Sequence, residues 1–201
     1  MMQRLSIFII FTFFYASTAF SVSTDETIIA AVPQSFPPYY QLDTDGNPQG
    51  FAIDVMDAVA ERAGLEVDYQ VMPSWEAVFE SLRTGDSDLI PNIGVSEQRA
   101  EFMDFTAPVE TFHISFFVRS NSPEFVNEQS LQGHKIATVK SNVATGILTN
   151  FSQYQGVGYG SFEEALFALI SGQVDALAYP EPVAWRLITQ AHQESAVQVI
   201  G

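Results

Sequence analysis

The hydrophobic pattern of the chain changes period repeatedly from Thr27 onward, between short β-rich runs and segments with apolar residues three and four positions apart. The first pattern is typical of a buried strand and the second of an amphipathic helix. The elements predicted in the first half are strand 27–32, helix 52–63, strand 66–71, helix 75–82 and strand 88–90. Gly64 and Gly85 stand where the two helices should end, and Ser74 is a suitable N-cap for the second.

The alternation restarts after an extended run, 112–118, and a polar stretch, 119–123, which we interpret as a crossover. The elements predicted beyond it are strand 135–139, helix 143–150, helix 162–170, strand 174–178, helix 183–191 and a last strand, 196–200. Gly156–Gly160 lacks the third glycine of a dinucleotide-binding loop, so we predict a turn there. Repeated strand–helix units predict an α/β fold of two lobes, each a mostly parallel sheet flanked by helices.

The first residues predict a secretion signal. Arg4 precedes the apolar run Leu5–Tyr15, and small residues follow it. The run is shorter than the roughly 20 residues that cross a bilayer, so we predict a signal peptide over 1–21 and a periplasmic protein, with an uncleaved anchor as the alternative. The expected domains are then lobe 1 over 22–118, lobe 2 over 119–195, and over 196–201 the start of a return to lobe 1. Because no element follows that strand, we expect a C-terminally incomplete chain.

The charge balance excludes several functions. The chain has 24 acidic and 8 basic residues, a formal net charge of −16, which argues against nucleic acid and anionic membranes as partners. It has no cysteine, and its three histidines (His113, His134 and His192) fit no metal-ligand spacing. Neither a nucleophile elbow nor a phosphate-binding loop is present. We therefore expect no cofactor, no metal and no enzymatic activity.

Three segments carry candidate chemistry, and the first is Ser35–Tyr40, directly after the first strand. Aromatic residues at the carboxyl end of a strand lie where ligands bind in α/β sheets. Their rings offer rigid contact surface with little loss of entropy. The alternative is a loop that fills its own core with Phe36 and Tyr39.

The second segment is Asp88–Arg99, in which a strand runs into a loop and Ser96 caps a short helix that carries Arg99. Arginine is suited to a two-point grip on a carboxylate. The alternative for Arg99 is a surface ion pair with Glu101 or Asp104, which contributes little energy.

The third segment is Lys140–Thr145, a small polar loop that opens a helix. Free backbone N–H groups at a helix start favour an anion such as a carboxylate. An ordinary N-cap is the alternative.

The stretch Gly50–Val59 is similar to the signature of the family 3 periplasmic solute-binding proteins, polar amino-acid-binding type, although Ala52 stands where an acid is usual. That signature is a glycine and an aromatic residue followed by alternating acidic and aliphatic residues at the start of a helix. Further similar segments follow in the family's order: Trp75 with Leu82–Asp88, Ser96–Arg99 with Phe105–Pro108, Leu131–Gly133, and Val174–Ala176. The resemblance covers residues 27–201.

The resemblance implies a Venus-flytrap fold, in which a hinge closes two lobes over a ligand. Arg99 would hold an α-carboxylate, and the remaining site residues carried over by position are Phe36, Tyr39, Trp75, Asn92, Gly94, Ser141, Asn142 and Val143. Amino-acid binders of this family usually place an Asp where this chain has Pro180. Either Glu181 pairs with the ligand's ammonium group, or the ligand has no α-amino group.

Three functions follow from the resemblance. The first is a monomeric receptor that captures an amino acid or related small carboxylate for an ABC-type importer in the membrane. The second is the ligand-sensing input domain of a membrane signalling protein. The third is a dehydratase-like periplasmic enzyme, with Glu181 or Asp54 as candidate acid, but no catalytic constellation accompanies them.

Overall fold

The computed structural model describes residues 27–200. The predicted signal peptide, residues 1–21, lies outside these described residues. Among residues 27–200, no helix has the length and apolar character needed to cross a membrane. The elements of the first half are β1 (Thr27–Pro33), β2 (Gln41–Leu42), β3 (Pro48–Gln49), α1 (Phe51–Ala63), β4 (Glu66–Met72), α2 (Trp75–Thr84) and α3 (Glu97–Ala100). We refer to these elements as lobe 1.

The second half forms lobe 2. Its elements are β5 (Ile114–Arg119), a 3-10 helix (Glu128–Leu131), β6 (Lys135–Val139), α4 (Val143–Thr149), β7 (Gln155–Tyr159), α5 (Phe162–Ile170), β8 (Ala176–Pro180), α6 (Glu181–Gln190) and β9 (Val197–Ile200). The sequence predicted most of these helices and strands to within two residues at each end, but it did not predict the 3-10 helix.

The sheet of lobe 1 is built on β1, which pairs in parallel with β4 over its whole length. On the other side of β1 the predicted strand 88–90 is reduced to a single parallel bridge between Ala30 and Leu89. The prediction of a strand was wrong here, because only three adjacent backbone hydrogen bonds join this segment to Ile29 and Ala31. The short antiparallel hairpin of β2 and β3 was not predicted.

The sheet of lobe 2 has the order β7-β6-β8-β5-β9. β7, β6 and β8 are parallel, whereas β5 runs antiparallel to both β8 and β9, so the sheet is mixed rather than mostly parallel. The sequence placed residues 114–118 at the end of lobe 1 and 196–201 on the way back to it. Backbone hydrogen bonds instead join Ile114–Arg119 and Val197–Ile200 to each other, and Ile114–Val118 to β8 of lobe 2.

The turn predicted at Gly156–Gly160 was wrong, because most of this segment is strand β7. β7 lies at the edge of the sheet, and three of its five residues are exposed. A strand with so little buried surface has no strong apolar alternation, and its glycines hide the signal further. Only the pairing of Lys135–Val139 with Gln155–Tyr159 defines it as a strand.

The main hydrophobic core is continuous across the two lobes. Buried residues of lobe 1, among them Val32 and Phe36, belong to the same cluster as Phe117, Leu177 and Tyr179 of lobe 2. The rings of Phe36 and Tyr179 have their centroids 6.2 Å apart. The lobes are therefore in contact, and the site described below lies at that contact.

Candidate functional site

A small cavity lies between the lobes, at the carboxyl end of β1. Its lining consists of Phe36, Trp75, Asn92, Ile93, Gly94, Arg99, Phe112, Asn142 and Val143. Lobe 1 and the segment leading to β5 supply all of these residues except the last two, which come from lobe 2. The cavity volume is about 20 Å³, which is room for little more than one water molecule. A larger solute therefore requires the lobes to separate.

The aromatic loop after β1 is held in place by the start of helix α1. The backbone N–H groups of Phe51 and Ala52 donate to the carbonyls of Pro38 and Tyr39, both at 3.1 Å. Gly50 makes this approach possible, because it adopts φ 124° and a Cβ atom there would come within 2.5 Å of the Tyr39 oxygen. The glycine of the sequence signature thus fixes the loop that carries the site's aromatic side chains.

Phe36 and Tyr39, predicted together, have different positions. Phe36 lines the cavity and meets Trp75 edge to face, with ring centroids 5.4 Å apart. Tyr39 lies in the core behind the cavity, and its hydroxyl donates to Glu110 Oε1 at 2.9 Å. Burial, together with the hydrogen bond and charge of Glu110, raises the pKa of Tyr39. The core-filling alternative therefore describes Tyr39, whereas Phe36 is part of the core and also lines the cavity.

The loop that contains Asn92 and Gly94 is anchored by a buried tyrosine that the sequence did not single out. The hydroxyl of Tyr40 donates to the Asn92 carbonyl at 2.7 Å and accepts from the Asn92 N–H at 2.6 Å. One side chain thus satisfies both backbone groups of Asn92, which lines the cavity. Phe112 and Ile93 were also missed. Both are apolar residues outside any predicted helix, so no periodic signal marks them.

Arg99 points into the cavity from helix α3, which Ser96 caps by accepting from the Arg99 N–H at 3.3 Å. Its guanidinium donates to the carbonyl of Gly94 at 2.6 Å and to that of Ser141 at 3.0 Å. It also lies over the ring of Phe79, 5.0 Å from the centroid. Arg99 therefore joins the two lobes.

The charge of Arg99 is buried without a counter-charge. Only 8% of the residue is exposed, and no carboxylate between residues 27 and 200 comes within 4.0 Å of its guanidinium. The predicted alternative, an ion pair with Glu101 or Asp104, is not formed. Burial lowers the pKa of Arg99 from 12.5 to about 10, so the guanidinium stays protonated at neutral pH. The shift corresponds to a free energy of roughly 3 kcal/mol that opposes the charged form. An anion in the cavity would relieve this cost.

The loop at the start of α4 contacts lobe 1 through Ser141. This residue adopts the left-handed conformation with φ 60°, and its side chain points away from the cavity to donate to Glu76 Oε1 at 2.8 Å. Asn142 is buried and caps α4, its Oδ1 accepting from the Ala144 N–H at 2.9 Å. The N-cap alternative therefore describes Asn142, although it and Val143 also line the cavity.

Glu181 does not reach the cavity. Its Oε2 accepts from the hydroxyl of Ser115 at 2.6 Å, and its backbone N–H donates to the His113 carbonyl at 3.0 Å. Both partners lie on or beside β5. The side chain thus supports the junction of β5 with α6, and it is absent from the cavity lining.

Residues 28–150 match the family model described as bacterial extracellular solute-binding proteins, family 3. The chain belongs to this family. The predicted family is thereby confirmed, and a place outside the cytoplasm follows from it. Seven of the ten predicted site residues line the cavity of this solute-binding protein.

Curated relatives include both binding proteins and sensors. A probable histidine-binding protein of Neisseria gonorrhoeae is 32% identical over 74 residues, which are 36% of this chain and 27% of the relative. The virulence sensor protein BvgS of Bordetella pertussis is 25% identical over 73% of this chain and 12% of the length of BvgS. The L-cystine-binding protein TcyJ of Escherichia coli K12 is 23% identical over 85% of this chain and 65% of the relative. The chain thus spans less than two thirds of the length of each of these three relatives.

Solved structures show the same fold. A histidine kinase sensor domain similar to periplasmic binding proteins superposes with a TM-score of 0.78, 25% identity, and coverage of 88% of this chain and 77% of that one. An ancestral arginine-binding protein bound to arginine superposes with a TM-score of 0.75 and 23% identity, and the match covers 87% of this chain and 78% of that one. The periplasmic VFT2 domain of Bordetella pertussis BvgS superposes with a TM-score of 0.75 and 21% identity, and the match covers 86% of this chain and 74% of that one. The predicted two-lobed fold is confirmed, and the relatives are binding proteins and sensor domains rather than enzymes.

Proposed function

We propose that this protein captures a small solute, an amino acid or a related carboxylate, between its lobes, and that Arg99 holds the solute's carboxylate. The observation that carries the proposal is the buried, protonated Arg99 guanidinium, which faces the cavity with no carboxylate partner among residues 27–200. Burying a charge without a partner is costly, and a ligand carboxylate is a natural partner for arginine.

Capture is coupled to closure of the lobes. In the closed arrangement Gly94 faces Val143 so tightly that a Cβ on Gly94 would lie 3.3 Å from the Val143 side chain. A solute therefore enters when loop 141–143 moves away from Gly94 and Arg99. A solute that contacts both lobes then stabilises the closed arrangement by its differential contacts.

The role that follows from the binding-protein relatives is delivery of the solute to an ABC-type importer. The protein would act as a monomer in the periplasm after export by residues 1–21. Support comes from relatives named as amino-acid-binding, among them L-cystine-binding TcyJ. A sensory role is the second candidate, favoured by the similarity to the histidine kinase sensor domain and to BvgS.

The binding proposal is tested by calorimetry or thermal shift with the 20 amino acids and a panel of small carboxylates. We expect at least one binder, and we expect Arg99→Ala to weaken it about 100-fold or more, as for a lost charged hydrogen bond pair. Arg83→Ala is the matched control, because Arg83 is exposed and lies near Glu80 in helix α2. Binding that survives in Arg99→Ala would contradict the proposal, as would the absence of any binder.

Transport and sensing are separated in cells. If the protein serves an importer, a strain without it loses uptake of the solute identified above, and Arg99→Ala does not restore uptake. If it serves a sensor, uptake is unchanged, but the transcriptional response to the same solute disappears. The Arg83→Ala protein should restore whichever function is lost.

A further inference from the structure

We infer that the solute is an organic monocarboxylate with an apolar, aromatic or branched body and no ammonium group. This inference rests on the proposed role of Arg99 and narrows it to one class of solute. Its basis is the complete lining of the cavity rather than Arg99 alone. The lining contains a cation and apolar walls, but no acid.

The lining offers an ammonium group only neutral acceptors, and few of them. Arg99 supplies the only formal charge, and Asn92 and Asn142 are the only other polar side chains in the lining. The Oδ1 of Asn142 already accepts from the Ala144 N–H. The carbonyls of Gly94 and Ser141, which lie within reach of the Arg99 guanidinium, both accept from it. An ammonium group placed here would compete with a guanidinium for its acceptors.

Three acids on segments next to the site are engaged elsewhere. Glu110 accepts from Tyr39, Glu181 from Ser115, and Glu76 from Ser141. None of the three lines the cavity. Glu76, which lies beside Trp75 at the junction of the lobes, is exposed to solvent. A zwitterionic amino acid would therefore have its carboxylate paired and its ammonium group buried without a counter-charge, which is strongly unfavourable.

Apolar side chains surround the space in front of Arg99. Phe36 and Trp75 form one wall in edge-to-face contact at 5.4 Å, and Ile93, Phe112 and Val143 complete the enclosure. Aromatic rings bind apolar bodies well and prefer offset or edge-on contacts with another ring. Once the lobes separate, a solute whose carboxylate meets Arg99 would therefore have its body against these rings.

The test compares three compounds with one carbon skeleton. They are 3-phenylpropanoate with a carboxylate alone, L-phenylalanine with both groups, and 2-phenylethylamine with the amine alone. Butanoate, L-2-aminobutanoate and propylamine form a matched shorter set. Affinities are measured by calorimetry on the 201-residue protein, and on its Arg99→Ala and Arg83→Ala variants. In at least one set we expect the carboxylate to bind at least tenfold more tightly than the amino acid, and the amine not to bind.

The outcomes separate this inference from the proposed function. Equal or tighter binding of the amino acid, lost in Arg99→Ala, overturns the inference and leaves the proposed function standing. Glu76→Gln and Glu181→Gln would then identify the acid that takes the ammonium group. If no carboxylate of either set binds, the inference falls, and the wider panel of amino acids and small carboxylates decides the proposed function. If a carboxylate binds Arg99→Ala as tightly as the unchanged protein, both fall. A carboxylate preference that disappears in Arg99→Ala and persists in Arg83→Ala supports both.

Discussion

The buried charge of Arg99 has a desolvation cost. The guanidinium is withdrawn from water, and its two hydrogen bonds go to neutral carbonyls, those of Gly94 and Ser141. Neutral acceptors compensate a buried charge only in part. A residue that binds an anion well when the solute is present is therefore poorly solvated when it is absent, which is a common conflict between stability and function.

Replacement of this charge by an apolar side chain of similar length should show the conflict directly. For Arg99→Met we expect the free energy of unfolding in urea, without added solute, to stay unchanged or rise by up to about 2 kcal/mol. Solute binding should be lost. Arg83→Met, on the exposed face of α2, loses a weak ion pair with Glu80 and a contact with the Phe102 ring, and should lower stability by less than about 1 kcal/mol. A loss above about 1 kcal/mol in Arg99→Met would show that the two carbonyl bonds outweigh the desolvation.

At the scale of the element, helix α1 and the aromatic loop act as one structural unit. The first N–H groups of α1 have no partner within the helix, and here they donate to Pro38 and Tyr39 of the loop. This contact brings two backbones so close that residue 50 must lack a side chain. The helix start thus sets the position of Phe36, which lies on the same loop.

Gly50→Ala should therefore lower the free energy of unfolding by about 2–4 kcal/mol, since the methyl group would meet backbone atoms that cannot move aside. Gly46→Ala is the control, because Gly46 also has a positive φ, 89°, but has no atom within 4 Å of its virtual Cβ. Its cost should be about 1 kcal/mol, the strain of the backbone conformation alone. Urea denaturation measures both variants, and equal losses would show that the close approach contributes nothing.

For the whole molecule, Ser141 joins the lobes without a solute. Its hydroxyl donates to Glu76 and its carbonyl accepts from Arg99, so one residue of lobe 2 makes two hydrogen bonds to lobe 1. Ser141 adopts a left-handed conformation, which is unfavourable for a residue other than glycine. These contacts favour the closed arrangement and oppose the entry of a solute.

Glu76→Ala and Ser141→Ala should each lower the closed population relative to the open one about two- to fivefold, with no larger effect in the double variant. The chain has no cysteine, so Val59→Cys and Phe167→Cys, both on exposed positions of different lobes, provide unique sites for a pair of fluorescent labels. Energy transfer between the labels reports closure. Glu80→Ala, on the exposed face of helix α2, which also carries Glu76, should leave the energy transfer unchanged. An equal change in Glu80→Ala would show that the effect does not come from the bond between Glu76 and Ser141.

The Glu76 contact should also depend on pH. Burial raises the pKa of Glu76, but the hydrogen bond from Ser141 and other nearby groups outweigh it, so the pKa lies below the usual 4.5. The part of this lowering that comes from Ser141 and Lys140 of lobe 2 exists only in the closed form. It stabilises that form fully above the ordinary pKa and is lost as the pH falls through the lowered value. The labelled protein should therefore open as the pH falls below about 4.5. Other acids titrate in the same range. The measurement that decides is therefore the change in energy transfer with pH in the labelled protein minus the same change in labelled Glu76→Ala, which lacks the Glu76 carboxyl group.

The sequence by itself determined the family, the order of most helices and strands, and most of the cavity lining. Helices α1 and α2, their glycine ends, and the Ser74 and Ser96 caps are local features, encoded in apolar spacing and in residues with strong positional preferences. Arg99 was recognisable because so few basic residues occur in the chain and because it follows a strand end. These features depend on neighbours within a few residues, which the sequence displays directly.

Only the tertiary structure decided which partners the site residues take. It directed Tyr39 to Glu110 and Glu181 to Ser115, and it left Arg99 without an acid among residues 27–200. It also joined residues 114–119 to lobe 2 and made an edge strand of a glycine-rich segment. Each of these outcomes depends on groups tens of residues apart in the chain. Hydrogen bonding and burial between such groups follow from the assembled fold, and local periodicity carries no record of them.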